Sequence, residues 1–104
     1  MHKVKLIHIS TDFIFDGVSE KAYLESDDPS PLNIYGKSKL AGEVAVCAVM
    51  QKNAIIIRTS WLYSEYSNNF VNTIIRKAQK FDELSVVSDQ YSSPTNAGDL
   101  AKVI

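Results

Sequence analysis

The sequence predicts an α/β fold of the doubly wound, parallel kind, and three consecutive segments predict it. Residues 4–9 and 54–58 are short runs of branched apolar residues, typical of strands buried on both faces of a parallel sheet. Between them, apolar residues recur at helical spacing over about residues 34–51. Strand, helix and strand in this order form a βαβ unit, so we expect parallel strands and a right-handed crossover.

The first predicted strand ends at Ser10-Thr11-Asp12, where a long loop begins. The loop contains Gly17 and closes on Asp27-Asp28-Pro29-Ser30-Pro31. Proline lacks the backbone donor and clashes with the preceding helical turn, so this run excludes a helix interior. The helix is therefore expected to begin only after Pro31.

The predicted helix has an apolar side formed by Leu40, Val44, Cys47 and Ala48, and its alanines favour the helical state. On this spacing we expect Cys47 to be a core residue. The helix is expected to end near Gln51, with Asn53 as a stop signal after it.

The rest of the chain predicts further alternation of helices and strands. A second helix is expected over residues 69–81, a third short strand over residues 84–87, and a turn-rich loop over residues 89–95. Thr95 or Asn96 would cap a final helix that continues to Ile104. We expect the 104 residues to form a single unit.

Composition excludes several classes of protein. The chain is 45% hydrophobic with a formal net charge of -1, so nothing in it favours disorder, nucleic acid or an anionic membrane as a partner. Its one cysteine forbids an internal disulfide and fits a reducing compartment. No apolar run approaches the roughly 20 residues of a membrane span, and His2 and His8 lack a third ligand for a metal. A cytoplasmic protein without a metal is expected.

Tyr35 and Lys39 stand four residues apart at the start of the predicted helix, where their side chains share a face. A tyrosine ordinarily has a pKa of about 10, and a nearby ammonium favours the phenolate, which makes proton transfer easier near neutrality. Short motifs are weak evidence alone. The alternative is a surface tyrosine and a solvated lysine that pairs with Glu43.

The predicted topology gives the pair a context. Ser10-Thr11-Asp12 and Thr59-Ser60-Trp61 both leave carboxyl ends of strands, where ligands bind in open α/β sheets, and the Tyr35 helix begins at the same edge. Each group also has a simpler interpretation. Thr11 could be a strand-terminating hydroxyl that bonds to backbone, Trp61 could serve packing alone, and Asn69 could cap the second helix.

Longer segments resemble a known family. Residues 9–17, ISTDFIFDG, look like the active-site strand and loop of extended short-chain dehydrogenases/reductases, and residues 31–43, PLNIYGKSKLAGE, look like their catalytic helix. Residues 58–63, 68–70 and 89–95 narrow the resemblance to the dTDP-4-dehydrorhamnose reductase group. The likeness runs through nearly the whole chain in order.

The resemblance implies a function and a set of site residues. In that group, NADPH or NADH reduces the 4-keto group of a dTDP-4-keto-6-deoxy sugar in dTDP-L-rhamnose biosynthesis. Tyr35 would protonate the carbonyl oxygen, Lys39 would hold the nicotinamide ribose and tune Tyr35, and Thr11 would bond the same oxygen. The implied cofactor-binding residues are Ser10, Tyr35, Lys39, Thr59 and Ser60, and the implied substrate-binding residues are Thr11, Asp12, Phe13, Trp61 and Asn69. The group often has tyrosine where this chain has Phe13.

The same resemblance shows what the chain lacks. The glycines at positions 17, 36, 42 and 98 form no dinucleotide fingerprint. We therefore expect a partial Rossmann-like domain without its N-terminal dinucleotide-binding half, a central fragment that is inactive alone. Its uncovered sheet would be covered by self-association or by the missing remainder of a reductase. A non-catalytic binding or regulatory relative, or an interaction module pairing through a sheet edge, are the alternatives.

Overall fold

The computed structural model describes residues 4–104, which divide into two compact units, Met1–Thr59 and Ser60–Ile104. The first unit contains strand β1 (Leu6–Thr11), helix α1 (Ile34–Met50), strand β2 (Ala54–Thr59) and the 3-10 turns Asp12–Ile14 and Gln51–Asn53. The second unit contains strand β3 (Leu62–Tyr63), helix α2 (Phe70–Ala78), strand β4 (Thr95–Asn96) and helix α3 (Ala97–Val103).

The first unit is the predicted βαβ unit. β1 and β2 pair in parallel, with a register that runs from Leu6 opposite Ala54 to Thr11 opposite Thr59. The prediction of parallel strands is therefore confirmed. Ser10 and Thr11 are the last residues of β1 and do not belong to the loop, because they continue the ladder against β2.

The two faces of this pair differ, which corrects the expectation of strands buried on both sides. Successive side chains of a strand alternate between its two faces. His8, Ser10 and Arg58 project toward α1, and Arg58 bonds the carboxylate of Glu43 there. Ile7 and Ile55 project from the opposite face and are 38% and 56% exposed. The helix-facing side thus carries several polar side chains, and Ile7 and Ile55 are left open on the other side.

Helix α1 follows its predicted bounds. Asn33 caps it, since its Oδ1 accepts a hydrogen bond from Gly36 N at 2.7 Å. It ends at Met50, before Gln51 adopts a left-handed backbone with φ of 49°. Within residues 4–104, no helix is long and apolar enough to cross a membrane.

The buried side of α1 is not the one that the apolar spacing predicts. Gly36 and Glu43 face inward, whereas Val44 is 62% exposed and Cys47 is exposed. The prediction of a core cysteine is therefore wrong. On the inward side, Gly36 makes a close backbone approach and Glu43 forms an ion pair with Arg58.

Both helices predicted for the second unit are present, although α2 ends at Ala78, before the predicted residue 81, and the predicted strand is wrong. Asn69 caps α2 and Asn96 caps α3. The expected strand over residues 84–87 is absent, and its Val86 and Val87 are 51% and 63% exposed. A strand needs a neighbouring backbone, and here β3 pairs with β4 instead.

Candidate active site

The carboxyl end of β1 holds Thr11 in a fixed position. Thr11 is 5% exposed, and its Oγ1 accepts a hydrogen bond from Phe13 N at 3.2 Å and donates to Asp12 Oδ1 at 3.3 Å. The hydroxyl therefore caps the 3-10 turn that follows the strand. The interpretation of Thr11 as a backbone-bonding hydroxyl is confirmed, and the same bonds fix where that oxygen lies.

Gly36 allows the start of α1 to press against this turn. A Cβ on Gly36 would overlap the carbonyl oxygen of Phe13 and would lie 3.0 Å from Pro31 Cβ. The close approach brings the Tyr35 ring edge-on to the Phe13 ring, with centroids 6.0 Å apart and planes at 75°. Sequence reasoning missed Gly36, although a glycine inside a helix is costly enough to suggest a packing reason.

Lys39 reaches back to the same strand from one helical turn further along. Its Nζ donates a 2.7 Å hydrogen bond to the carbonyl oxygen of Ile9, two residues before Thr11. The alternative of a solvated lysine paired with Glu43 is wrong, since Glu43 pairs with Arg58. The structure thus brings Thr11, Tyr35 and Lys39 to the end of β1, while 55% of Tyr35 stays exposed.

Sequence reasoning also missed a buried ion pair beneath the helix. Glu43 is 3% exposed, and Arg58 donates to both of its oxygens, from Nε to Oε1 at 3.0 Å and from Nη2 to Oε2 at 2.7 Å. A lone arginine within an apolar strand was the available signal.

The electrostatics of this pair favour its charged form. Burial alone would raise the pKa of Glu43, but the hydrogen bonds from Arg58, together with its charge, outweigh burial and lower the pKa. The bond to Glu43 raises the pKa of Arg58, chiefly by stabilising its charged form. Both groups therefore stay ionised at neutral pH.

In the second unit, Trp61 joins three segments that the sequence analysis singled out. Its carbonyl oxygen accepts a hydrogen bond from Thr95 N at 3.1 Å, and its ring packs against Phe70 at 5.4 Å. Ser60 Oγ donates to the carbonyl oxygen of Ser93 at 2.7 Å. Trp61 has a φ of 40°, a left-handed conformation that non-glycine residues adopt at a cost.

Asn69 uses both ends of its amide within the second unit. Oδ1 accepts from Asn72 N at 2.9 Å as the cap of α2, and Nδ2 donates to the carbonyl oxygen of Ser64 at 2.8 Å. The interpretation of Asn69 as a helix cap is confirmed. Its expected contact with a sugar would have to compete with these bonds.

The residues present fit the reactive end of a nicotinamide cofactor. Thr59 Oγ1, at the carboxyl end of β2, is buried and has no hydrogen-bond partner among residues 4–104. Such a hydroxyl suits an amide ligand, because buried polar groups are normally bonded. By contrast, Gly36 and Gly42 lie inside α1, and neither belongs to a loop that could hold a pyrophosphate.

No metal site emerges from the part of the chain that the structure describes. Residues 4–104 contain no group of three or more histidine, cysteine, aspartate or glutamate side chains that could hold a metal ion. His2 lies outside the described residues.

Comparisons with known proteins show which family this chain resembles. The family model described as the RmlD substrate binding domain matches residues 1–104. A dTDP-4-dehydrorhamnose reductase from Aggregatibacter actinomycetemcomitans is 47% identical over 103 residues, which are 99% of this chain and 35% of that protein. A dTDP-4-keto-6-deoxy-D-glucose reductase from Streptomyces niveus is 43% identical over 97% of this chain and 35% of its own length.

The fold agrees as well. The crystal structure of a dTDP-4-dehydrorhamnose reductase from Bacillus anthracis in complex with NADP superposes with a TM-score of 0.88 at 49% identity. That match covers 95% of this chain and 35% of the other. The chain therefore spans about a third of the length of the relatives it matches.

Proposed function

Because the chain belongs to the RmlD substrate-binding domain family, we propose that it is the catalytic segment of an NADPH- or NADH-dependent reductase of dTDP-4-keto-6-deoxy sugars. One observation carries the proposal. Gly36 and the Lys39 bond to Ile9 hold Tyr35 and Lys39 at the end of β1, beside the fixed hydroxyl of Thr11. Similarity to a reductase in complex with NADP supports the cofactor.

Each group would have a distinct task. Tyr35 is exposed enough to meet a substrate carbonyl, and its phenol would donate the proton that the carbonyl oxygen takes up. The ammonium of Lys39, one turn away, would leave Ile9 to hold a ribose hydroxyl and would stabilise the tyrosine as it gives up its proton. Thr11 would bond the same carbonyl oxygen.

The cofactor would contribute the hydride. Thr59 would hold its nicotinamide amide through the unpartnered hydroxyl, with Ser10 and Ser60 as further expected contacts. Asp12, Phe13 and Trp61 would line the sugar. The pyrophosphate would have to be held by residues outside this chain, so we expect the isolated 104 residues to be inactive.

A segment exchange tests the proposal. Residues 4–104 would replace the matching third of the Bacillus anthracis reductase, and oxidation of NADPH would be followed with dTDP-4-dehydrorhamnose as substrate. We expect an active chimera, in which Tyr35→Phe lowers kcat by roughly 100-fold or more because a general acid contributes 10²–10⁴-fold.

Tyr91→Phe is the matched control, because Tyr91 is 90% exposed and should leave the rate unchanged. A folded chimera that retains its rate in Tyr35→Phe would contradict the assignment of Tyr35. A folded chimera that binds NADPH without turnover would favour the non-catalytic relative.

A second experiment addresses the chain alone. Calorimetric titration of the 104-residue protein with NADPH and NADH should show no binding tighter than about 100 μM, roughly -5.5 kcal/mol. Tighter binding would mean that the chain assembles a cofactor site without further residues, and would contradict the proposed division of labour.

A further inference from the structure

The stripe of α1 that faces the strands carries three polar side chains in successive turns. Tyr35, Lys39 and Glu43 follow one another at intervals of four residues, which places them on one side of the helix. Lys39 meets the backbone of β1, and Glu43 meets Arg58 of β2. The helix is thus tied to both strands by the stripe that carries the proposed catalytic pair.

The bond between Glu43 and Arg58 is directional. Arg58 uses two nitrogens to reach two carboxylate oxygens, so the fork fixes both the position of α1 along its axis and its rotation. A buried ion pair is weak as a source of stability, because a well-packed apolar pair is often as stable. The main contribution of such a pair is that it selects one arrangement of the two elements it joins.

The pair also extends to the loop after β1. The Arg58 guanidinium lies 5.4 Å from the centre of the Phe15 ring, and that ring stacks on Tyr23 at 4.3 Å. Tyr23 in turn donates a 2.7 Å hydrogen bond to Asp16, which lowers the pKa of that carboxyl. The Arg58 guanidinium of β2 therefore contacts both α1, through Glu43, and the loop after β1, through Phe15.

We propose that Glu43 and Arg58 are positioning residues, which set the rotation of α1 so that Lys39 and Tyr35 face the end of β1. Neither residue touches the reacting atoms. The inference rests on the proposed function for its catalytic meaning. It makes a physical claim that can be measured: Lys39 keeps its hydrogen bond to the Ile9 carbonyl oxygen only while Glu43 and Arg58 hold the helix in place.

The test measures the reactivity of Lys39 in the full 104-residue protein. Trace acetylation followed by peptide mass spectrometry gives the modification rate of Lys39 relative to Lys37, an exposed lysine on the same helix. Three variants are compared with the wild type: Arg58→Lys, which keeps the charge but loses the fork, Glu43→Gln, and the double variant Glu43→Leu with Arg58→Met.

We expect the relative rate of Lys39 to rise about tenfold in each variant that folds, since tenfold corresponds to about 1.4 kcal/mol, the order of a hydrogen bond to a charged group. Asp99→Asn is the control, because it removes the exposed pair of Asp99 with Lys102 and should change nothing. The double variant distinguishes a loss of geometry from a loss of stability, because an apolar pair can keep the protein folded while removing the two-point bond between Arg58 and Glu43.

A folded double variant in which Lys39 stays as protected as in the wild type would overturn the proposal and leave the pair a purely structural role. If the double variant does not fold, Arg58→Lys decides by the same criterion. The readout needs no cofactor and no turnover. An inactive Tyr35 would therefore defeat the proposed function without affecting this result.

Discussion

The ring of Phe13 meets the ring of Tyr35 edge-on, at a centroid distance of 6.0 Å and an angle of 75°. Phe13 belongs to the 3-10 turn that Thr11 caps, and Tyr35 belongs to the first turn of α1. The contact therefore joins the two elements that carry the proposed acid and its neighbouring hydroxyl. Phe13 supplies the ring of this contact without a hydroxyl.

Removing that ring should loosen the contact. We expect Phe13→Ala to lower the free energy of unfolding by more than about 1 kcal/mol, since the edge-to-face pair contributes roughly 0.5–1.5 kcal/mol in addition to the burial of the ring. Thermal unfolding measures the change, and Phe13→Leu is the control that keeps apolar bulk without a ring. Equal stability of Phe13→Ala and the wild type would show that the aromatic contact contributes nothing.

Two glycines of α1 should respond in opposite directions to alanine. A Cβ at position 36 would overlap the Phe13 carbonyl, so Gly36→Ala should cost about 1–3 kcal/mol, the range for overpacking. At position 42 the new Cβ would meet only His8 Nε2 at 3.8 Å, an ordinary contact. Gly42→Ala should therefore stabilise the protein by roughly 0.5–1 kcal/mol through helix propensity.

Urea denaturation of the two variants checks this contrast. NMR spectra of the two variants should show the ring resonances of Tyr35 shifting in Gly36→Ala only. Destabilisation of both variants by similar amounts would mean that the close approach at Gly36 is not what distinguishes them.

Local pattern predicted much of this architecture. The apolar runs predicted β1 and β2, and the helical spacing after Pro31 predicted the bounds of α1, because these depend on neighbouring residues. The rotation of α1 was not predictable in this way. Glu43 and Arg58 are 15 residues apart in the chain, and only the tertiary structure brings them together.

The same reasoning applies to the candidate site and to the missing strand. Tyr35 and Lys39 were found by spacing, but the bond from Lys39 to the Ile9 carbonyl depends on how the helix crosses the strand. Residues 84–87 have strand-like composition, yet composition does not supply a neighbouring strand. β3 instead pairs in parallel with β4 at Thr95–Asn96, more than 30 residues later in the chain.

Stability should depend on pH through Glu43. Its pKa is lower in the folded protein than its ordinary value of 4.5, so the folded state binds the proton less readily than the unfolded state. The contribution is therefore complete above the ordinary pKa and is lost as the pH falls through the lowered value. The wild type should lose stability below about pH 4.5 for this reason.

Glu43→Gln isolates the effect. Near pH 7 it should cost about 2–3 kcal/mol, less than for a fully buried pair because the Arg58 side chain is 24% exposed. The difference between wild type and variant should shrink as the pH falls toward 3. Urea denaturation across this range measures it, and a difference that is constant with pH would exclude the carboxylate charge as its source.

The open face of β1 and β2 leads to the last prediction. Ile7 and Ile55 are exposed on the side of the strands away from α1, and a two-stranded pair is marginal without further burial. We expect the isolated chain to self-associate through this face, so multi-angle light scattering should give a mass above the monomer's 11.6 kDa.

Ile55→Lys should lower that mass, because burying an unpaired ammonium is costly. Val103→Lys, at a residue 78% exposed on α3, is the matched control and should leave the mass unchanged. A well-folded monomeric wild type would show that the chain tolerates this face in water, and equal effects of the two lysines would place the association elsewhere.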